Sequence, residues 1–143
     1  MIIMAVDLGL ARTGVALSDN AQTLAFPRTV IAEHNKQRLV EKLCVIAKEE
    51  NAEQIVVGYP RNVDGSAGSR AEVCAEIANM IGEASGIRTV LRDERYTTVS
   101  AHIALNSADV RGKKRKAAVD AVAATIILQD YLDYLKNTQS GNT

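Results

Sequence analysis

Chemistry in this chain is most readily offered by acids that end otherwise apolar elements. The first residues read "MIIMAVDLGLARTG", an apolar run that stops at Asp7 and breaks into glycines around Arg12. Asp120 falls in line with Ala124, Ile127 and Tyr131 on a predicted helix, inside what otherwise reads as its buried stripe. Asp93 and Glu94 leave a predicted strand, flanked by Arg92 and Arg95. An unpaired buried carboxylate is costly, so these positions call for partners. Acids at three element ends, converging on one crevice, would suit a hard cation such as Mg²⁺ or Mn²⁺, which takes carboxylate oxygens and keeps waters for chemistry. Each acid also has a plainer use. Asp7 can hydrogen-bond the turn amides near Gly9, Asp120 can pair with Arg115 or Lys116 in the first turns of its helix, and Asp93 and Glu94 can join their arginines in a surface cluster. No histidine and cysteine set has zinc-like spacing. His34, in a predicted turn, and His102, on a predicted short helix, read as ordinary surface or half-buried residues.

The strongest local charge signal is "RGKKRK" at 111–116, a basic, glycine-containing connection expected to be mobile. Placed just before Asp120, it would bring cations to the crevice where a phosphodiester must lie.

Residues 2–6 are continuously apolar, as in a central strand covered on both faces, and 14–19 resumes a strand after a short turn, which predicts an antiparallel hairpin. A third strand is predicted at about 24–31, where Pro27 removes a ladder donor and points to an edge or a bulge. Apolar residues at helical spacing follow Asn35, a good N-cap. A strand is predicted at 54–58, an ordered loop at 59–68, a helix from the Ser69/Glu72 capping box to about Gly86, and a strand at 87–91. A short helix to about Asn106 and a long one over about 116–136 complete the order, with 137–143 a polar tail expected to be disordered. This order predicts an α/β fold with a mixed five-stranded sheet, its first three strands antiparallel and helices on both faces. Ligands of such sheets sit at strand ends where the connections change direction, which is where Asp7 stands.

With 143 residues, 47% of them hydrophobic, the chain suits one domain with one sizeable core, here residues 1–136. The apolar start is too short to span a bilayer and lacks a secretory leader, so a cytoplasmic protein with no membrane partner is expected. Cys44 and Cys74 fall on apolar helix faces as reduced thiols. Equal numbers of basic and acidic residues, 17 each, leave affinity for a polyanion to local clusters. The absence of tryptophan and the single phenylalanine, Phe26, argue against a single-strand binder built on aromatic stacking.

Four stretches, in order and at matching separations, resemble the YqgF (RuvX) family of RNase H-like bacterial proteins over almost the whole chain. They are "AVDLGLARTGVALSD" at 5–19, "IVVGYPRNVDGSAGSRAE" at 55–72, "DERYTTVSA" at 93–101 and "KKRKAAVDAVAATIILQDYLD" at 113–133. Departures are small: Leu10, Tyr59 and Tyr96 stand where the family usually has other residues, and none is an acid. The resemblance implies an RNase H-like fold and a nuclease that matures the 5′ end of precursor 16S ribosomal RNA, from a family also described as Holliday-junction resolvases. It assigns the family's acids to Asp7, Glu94 and Asp120, as catalytic residues holding one or two Mg²⁺ or Mn²⁺ ions. Arg12, Arg61, Asn62, Arg95, Lys113, Lys114, Arg115 and Lys116 would hold the nucleic-acid backbone. In an RNase H-like sheet the strand ending at Gly58 lies nearer the first strand than the one ending at Leu91, so Asp64 competes with Glu94 as second ligand. The implied partners are RNA, structured DNA and ribosomal precursor particles, for a monomer or weak homodimer. Three rivals remain. A structure-selective DNA resolvase would need a symmetric dimer, and a nucleotide-binding module of the actin and sugar-kinase kind would need a second domain. A ribosome- or transcription-associated binding protein that no longer cuts would have no use for intact acids.

Overall fold

A computed structural model describes residues 1–9, 12–59, 69–93 and 112–141; for Tyr59, Ser69, Asp93, 112–121 and 139–141 the description covers the backbone alone. The strands are β1 (Ile2–Leu8), β2 (Thr13–Ser18), β3 (Ala25–Ile31), β4 (Ala52–Tyr59) and β5 (Arg88–Asp93). The helices among the described residues are α1 (Lys36–Glu49), α2 (Ser69–Ser85) and α3 (Gly112–Gly141). The strands form one sheet in the order β3-β2-β1-β4-β5. β1 pairs antiparallel with β2, and β2 with β3, while β4 runs parallel to β1 and β5 parallel to β4.

β1 occupies the centre because its residues are apolar on both faces: Ile3, Met4, Ala5 and Val6 are each 0% exposed. β3 is an edge, as Pro27 predicts. Its register passes from Val15↔Thr29 to Ala16↔Pro27, so Arg28 is an extra residue and the proline sits at a bulge.

Pleat alternation divides the core in two. Met4, Val6 and Leu8 join Val15, Ile55 and Val57 under α1 and α2, where Leu39, Val40, Leu43, Cys44, Cys74, Ile77 and Ile81 are buried. Ile3, Ala5, Ala16 and Val56 face the other way, against Ala124, Ile127, Leu128, Tyr131 and Leu132 of α3. Asn35 caps α1, its side chain accepting from the Arg38 backbone N–H at 3.0 Å. α2 stops at Gly86, whose φ of 71° is open to glycine at little cost, and the Gly86 N–H bonds the Gly82 carbonyl. Neither cysteine forms a disulfide among the described residues, both are buried, and burial pushes the Cys44 thiol up.

α3 is longer at both ends than the predicted 116–136. Its backbone is helical from Gly112, within the basic stretch read as a connection, and the helix runs to Gly141, through residues read as a polar tail. Lysine, arginine and alanine are good helix formers, so the run at 113–118 extends the helix despite its like charges. Past residue 136 the Thr138 hydroxyl donates to the Tyr134 carbonyl one turn back, at 2.8 Å. The predicted short helix to Asn106 lies outside the described residues.

Candidate active site

The C-terminal ends of β1, β4 and β5 lie side by side at one end of the sheet, because these strands are parallel neighbours. There Asp7 shares the pleat face of Ile3 and Ala5, the face that α3 covers. It is half-buried and takes part in polar contacts. Across the β1–β2 ladder its partner is Gly14. On the other side Val6 pairs with Val57, which brings Gly58 level with Asp7, and Gly58 in turn pairs with Arg92. One row across the four strands therefore reads Gly14, Asp7, Gly58, Arg92. Neither immediate neighbour of Asp7 in this row has a side chain, so the strands leave lateral room at the carboxylate for a further ligand.

The turn after β1 holds this end in place. A Cβ on Gly9 would lie 2.1 Å from the Arg12 carbonyl oxygen, so only glycine admits the close return of the chain. The Arg12 side chain is partly buried, and its Nη1 has no hydrogen-bond partner among the described residues. A buried, orphaned guanidinium nitrogen costs free energy and is a ready donor to an arriving anion. From the first turn of α2, Arg70 Nη2 donates to the Leu8 carbonyl. The β1–β4 ladder ends at Val6 and Val57, so this guanidinium takes up a carbonyl beyond it. Sequence reasoning missed Arg70 because its partner lies 62 positions away and no local pattern marks the pair.

α3 approaches from the opposite face. Near its C-terminal part the Gln129 side chain accepts from the Ala25 N–H at 3.0 Å and donates to the Thr23 carbonyl at 3.0 Å. Gln54, which pairs with Ile3 at the start of β1, donates to the Tyr131 hydroxyl at 2.8 Å. The C-terminal part of α3 thus lies at the start of β1 and its N-terminal part toward the Asp7 end. From Tyr131 back to Asp120 the helix rises about 16 Å, against about 13 Å of strand from Ile3 to Asp7. Asp120 stands one turn before Ala124 along the helix, whose backbone thus brings it to the Asp7 end of the sheet.

Glu94 directly follows the last residue of β5, and it lies outside the described residues, as do Arg61, Asn62, Asp64, Arg95 and His102. With β4 between β1 and β5, the strand leading to Asp64 is one strand from Asp7 and the strand leading to Glu94 is two, or about 10 Å. Lys113, Lys114, Arg115 and Lys116 occupy the first turns of α3, described as backbone. His34 is exposed between β3 and α1, three residues past Ile31, which pairs with Thr13 at this same end of the sheet, two strands from β1. Among the described residues no three acids, histidines or cysteines gather into a metal centre, and none of the helices is long and apolar enough to cross a membrane. The donor chemistry still fits a hard cation at Asp7: a carboxylate on a rigid central strand, flanked by glycines.

A mixed sheet ordered β3-β2-β1-β4-β5 with helices on both faces is the RNase H-like fold. Two solved structures share it: Thermus thermophilus RuvC in complex with Holliday junction substrate, and the fowlpox virus Holliday junction resolvase. The first gives a TM-score of 0.62 at 11% identity, covering 96% of this chain and 97% of that one. The second gives 0.59 at 12% identity, covering 94% and 99%. The family model described as "RuvX: Holliday junction resolvase" matches residues 1–134, and the chain belongs to the RuvX family. A Clostridium botulinum relative (strain Alaska E43 / Type E3) is 43% identical over 133 residues, covering 93% of this chain and 97% of its own. One from Carboxydothermus hydrogenoformans is 39% identical over 134 residues, covering 94% and 97%. Both bear the name "Putative pre-16S rRNA nuclease".

Proposed function

We propose that this chain is a metal-dependent endonuclease of the cytoplasm that acts in 5′-end maturation of precursor 16S ribosomal RNA, on ribosomal precursor particles, as a monomer or weak homodimer. The observation that carries the reading is Asp7, a half-buried carboxylate at the end of the central strand with a glycine on either side. The relatives' name supplies the substrate. In this reading Asp7, Glu94 and Asp120 hold one or two Mg²⁺ or Mn²⁺ ions. The chemistry such an ion supplies is activation of a water and stabilisation of the leaving oxygen of a phosphodiester. Arg12, whose orphaned Nη1 is a donor in waiting, contacts a phosphate beside the acids. Arg61, Asn62, Arg95 and the Lys113–Lys116 run hold the backbone farther out, by contacts that position a strand without reading its sequence.

The test is cleavage of precursor 16S RNA, beside a four-way DNA junction, with Mg²⁺, Mn²⁺ or chelator. Cutting of the RNA that stops on chelation is the expected result. Cutting of the junction alone would instead favour the resolvase activity after which the family is described, and no cutting of either sinks both. Asp64→Asn and Glu94→Gln then identify the second ligand: Glu94→Gln should be the more damaging, and the reverse order would transfer the role to Asp64.

A further inference from the structure

Arg92 stands at the end of the row that holds Asp7, with only Gly58 between them, yet its guanidinium turns toward α3. Its Nε and Nη2 donate to Asp130 Oδ2 at 3.0 and 2.9 Å. The same guanidinium lies 4.6 Å from the ring centroid of Tyr134 and 5.8 Å from that of Tyr131, and those two rings stack at 6.3 Å. In the sequence Arg92 has acids immediately after it, and a local cluster is the natural reading; the structure instead pairs it 38 positions away.

This placement matters because α3 packs chiefly over β1, β2 and β3 and skims β4. On the β5 side the helix is met mainly by side chains: Val90 packs against its core, and Arg92 reaches its outer turns. We propose that Arg92 is a positioning residue, a strut that fixes the end of β5 against α3. It thereby sets the spacing between the strand end leading into Glu94 and the helix that carries Asp120, a role that rests on the metal-site reading above.

Magnitudes separate a strut from an ordinary stabilising pair. With the Asp130 side chain 51% exposed and that of Arg92 25%, the ion pair contributes no more than about 1 kcal/mol to stability. A group bonded directly to a metal ligand is worth about 10- to 100-fold in metal affinity or activity, and Arg92, which acts through Asp130 ten residues along α3 from Asp120, belongs at the low end of that range. The experiment uses the full chain as wild type, Arg92→Gln, Arg92→Lys, Asp130→Asn and the Arg92→Gln/Asp130→Asn double variant. For each, Mn²⁺ binding is followed by electron paramagnetic resonance, cleavage of precursor RNA by rate, RNA affinity in Ca²⁺ by titration, and unfolding by thermal melting. The strut predicts that Arg92→Gln raises the Mn²⁺ dissociation constant about tenfold and slows cleavage by about as much, with RNA affinity and melting temperature nearly unchanged. Asp130→Asn should do the same more weakly, the double variant should be no worse than Arg92→Gln, and Arg92→Lys should fall between it and wild type.

Unchanged Mn²⁺ binding in Arg92→Gln, or additive effects in the double variant, would overturn the strut while leaving the nuclease reading intact. So would weaker RNA affinity at unchanged Mn²⁺ binding, which would make Arg92 a phosphate contact. A wild type that neither binds Mn²⁺ nor cuts removes the reading and the strut together. If Arg92→Gln does not fold, Asp130→Asn and Arg92→Lys carry the same comparison.

Discussion

The two faces of the sheet are built from the same strands and differ in kind. Under α1 and α2, side chains from β1, β2 and β4 meet leucines, isoleucines and valines, with the buried Thr13, opposite Leu8, a polar exception on the strands. Under α3 the strands offer smaller residues, Ala5 and Ala16, which let the helix come close. Its packing is pinned by polar pairs: Gln54 with Tyr131, Gln129 with the β2–β3 turn, and Arg92 with Asp130. On β1 itself the alternation makes the point residue by residue. Met4, Val6 and Leu8 stay apolar to the end, while Ile3 and Ala5 are followed by Asp7. Apolar contacts are nondirectional and supply stability; hydrogen-bonded pairs fix one register of helix on sheet. On the α1/α2 face the directional contacts sit at the margins, Arg70 on the Leu8 carbonyl and Lys36 on Glu76, whereas the face that holds the acid carries the buried Gln54–Tyr131 bond within its helix packing.

The largest expected effect breaks the comparison on the α3 face. Asp7→Asn keeps the shape and removes the charge that would hold a cation, so cleavage should fall about a thousandfold, or some 4 kcal/mol of transition-state stabilisation. Its melting temperature should hardly move. On the opposite face Leu43 is 0% exposed, and Leu43→Ala should cost about 2–5 kcal/mol of stability by chemical denaturation. Below its melting temperature that variant should cut at the wild-type rate per folded molecule. A large loss of activity in Leu43→Ala, without unfolding, would abolish the division of labour.

Smaller effects sharpen it. Lys113→Ala/Lys114→Ala should weaken RNA binding and lower the slope of log affinity against log salt by about 0.7 for each phosphate no longer neutralised, with cleavage-site choice unchanged. Identical slopes would take the first turns of α3 out of the binding surface. The smallest effect lies at the far end of the sheet. Asp19 accepts from the Thr23 and Leu24 amides, and these bonds hold its carboxyl below the usual carboxylate range. A lowered folded pKa stabilises above the unfolded value of 3.8 and is lost as pH falls through the folded value. Asp19→Asn should therefore melt slightly below wild type at neutral pH, the gap closing under strongly acid conditions. Activity should not respond.

What could be read from the sequence was what local chemistry determines. Five apolar residues before Asp7 marked a central strand, Asn35 marked a helix start, and Pro27 marked an edge or a bulge, of which the structure has both. The ends of α3 could not be read this way. A basic run with a glycine looks like a loop by charge, yet its lysines and alanines favour a helix. Of the candidate site, Asp7 was legible because an acid interrupts an apolar pattern. Arg70 on the Leu8 carbonyl and Arg92 on Asp130 were not, because each pairing is created by the sheet order, which brings distant segments together. The free Nη1 of Arg12 was equally invisible, since an unmet donor leaves no mark on composition.

The two edges of the sheet have a consequence for the protein in a crowded solution. An exposed strand invites a neighbour's strand, and strand upon strand is how filaments grow. At β3 the ring of Pro27 withholds an amide and the bulge at Arg28 throws the next rung out of phase, so a second molecule cannot continue the ladder in step. At β5 the defence is electrostatic: the exposed Arg88 brings a charge that a copy of the same edge would have to bring against its own, while Arg92 is already paired with Asp130. One margin is guarded by shape and the other by charge. A change of salt would loosen the second guard and leave the first in place.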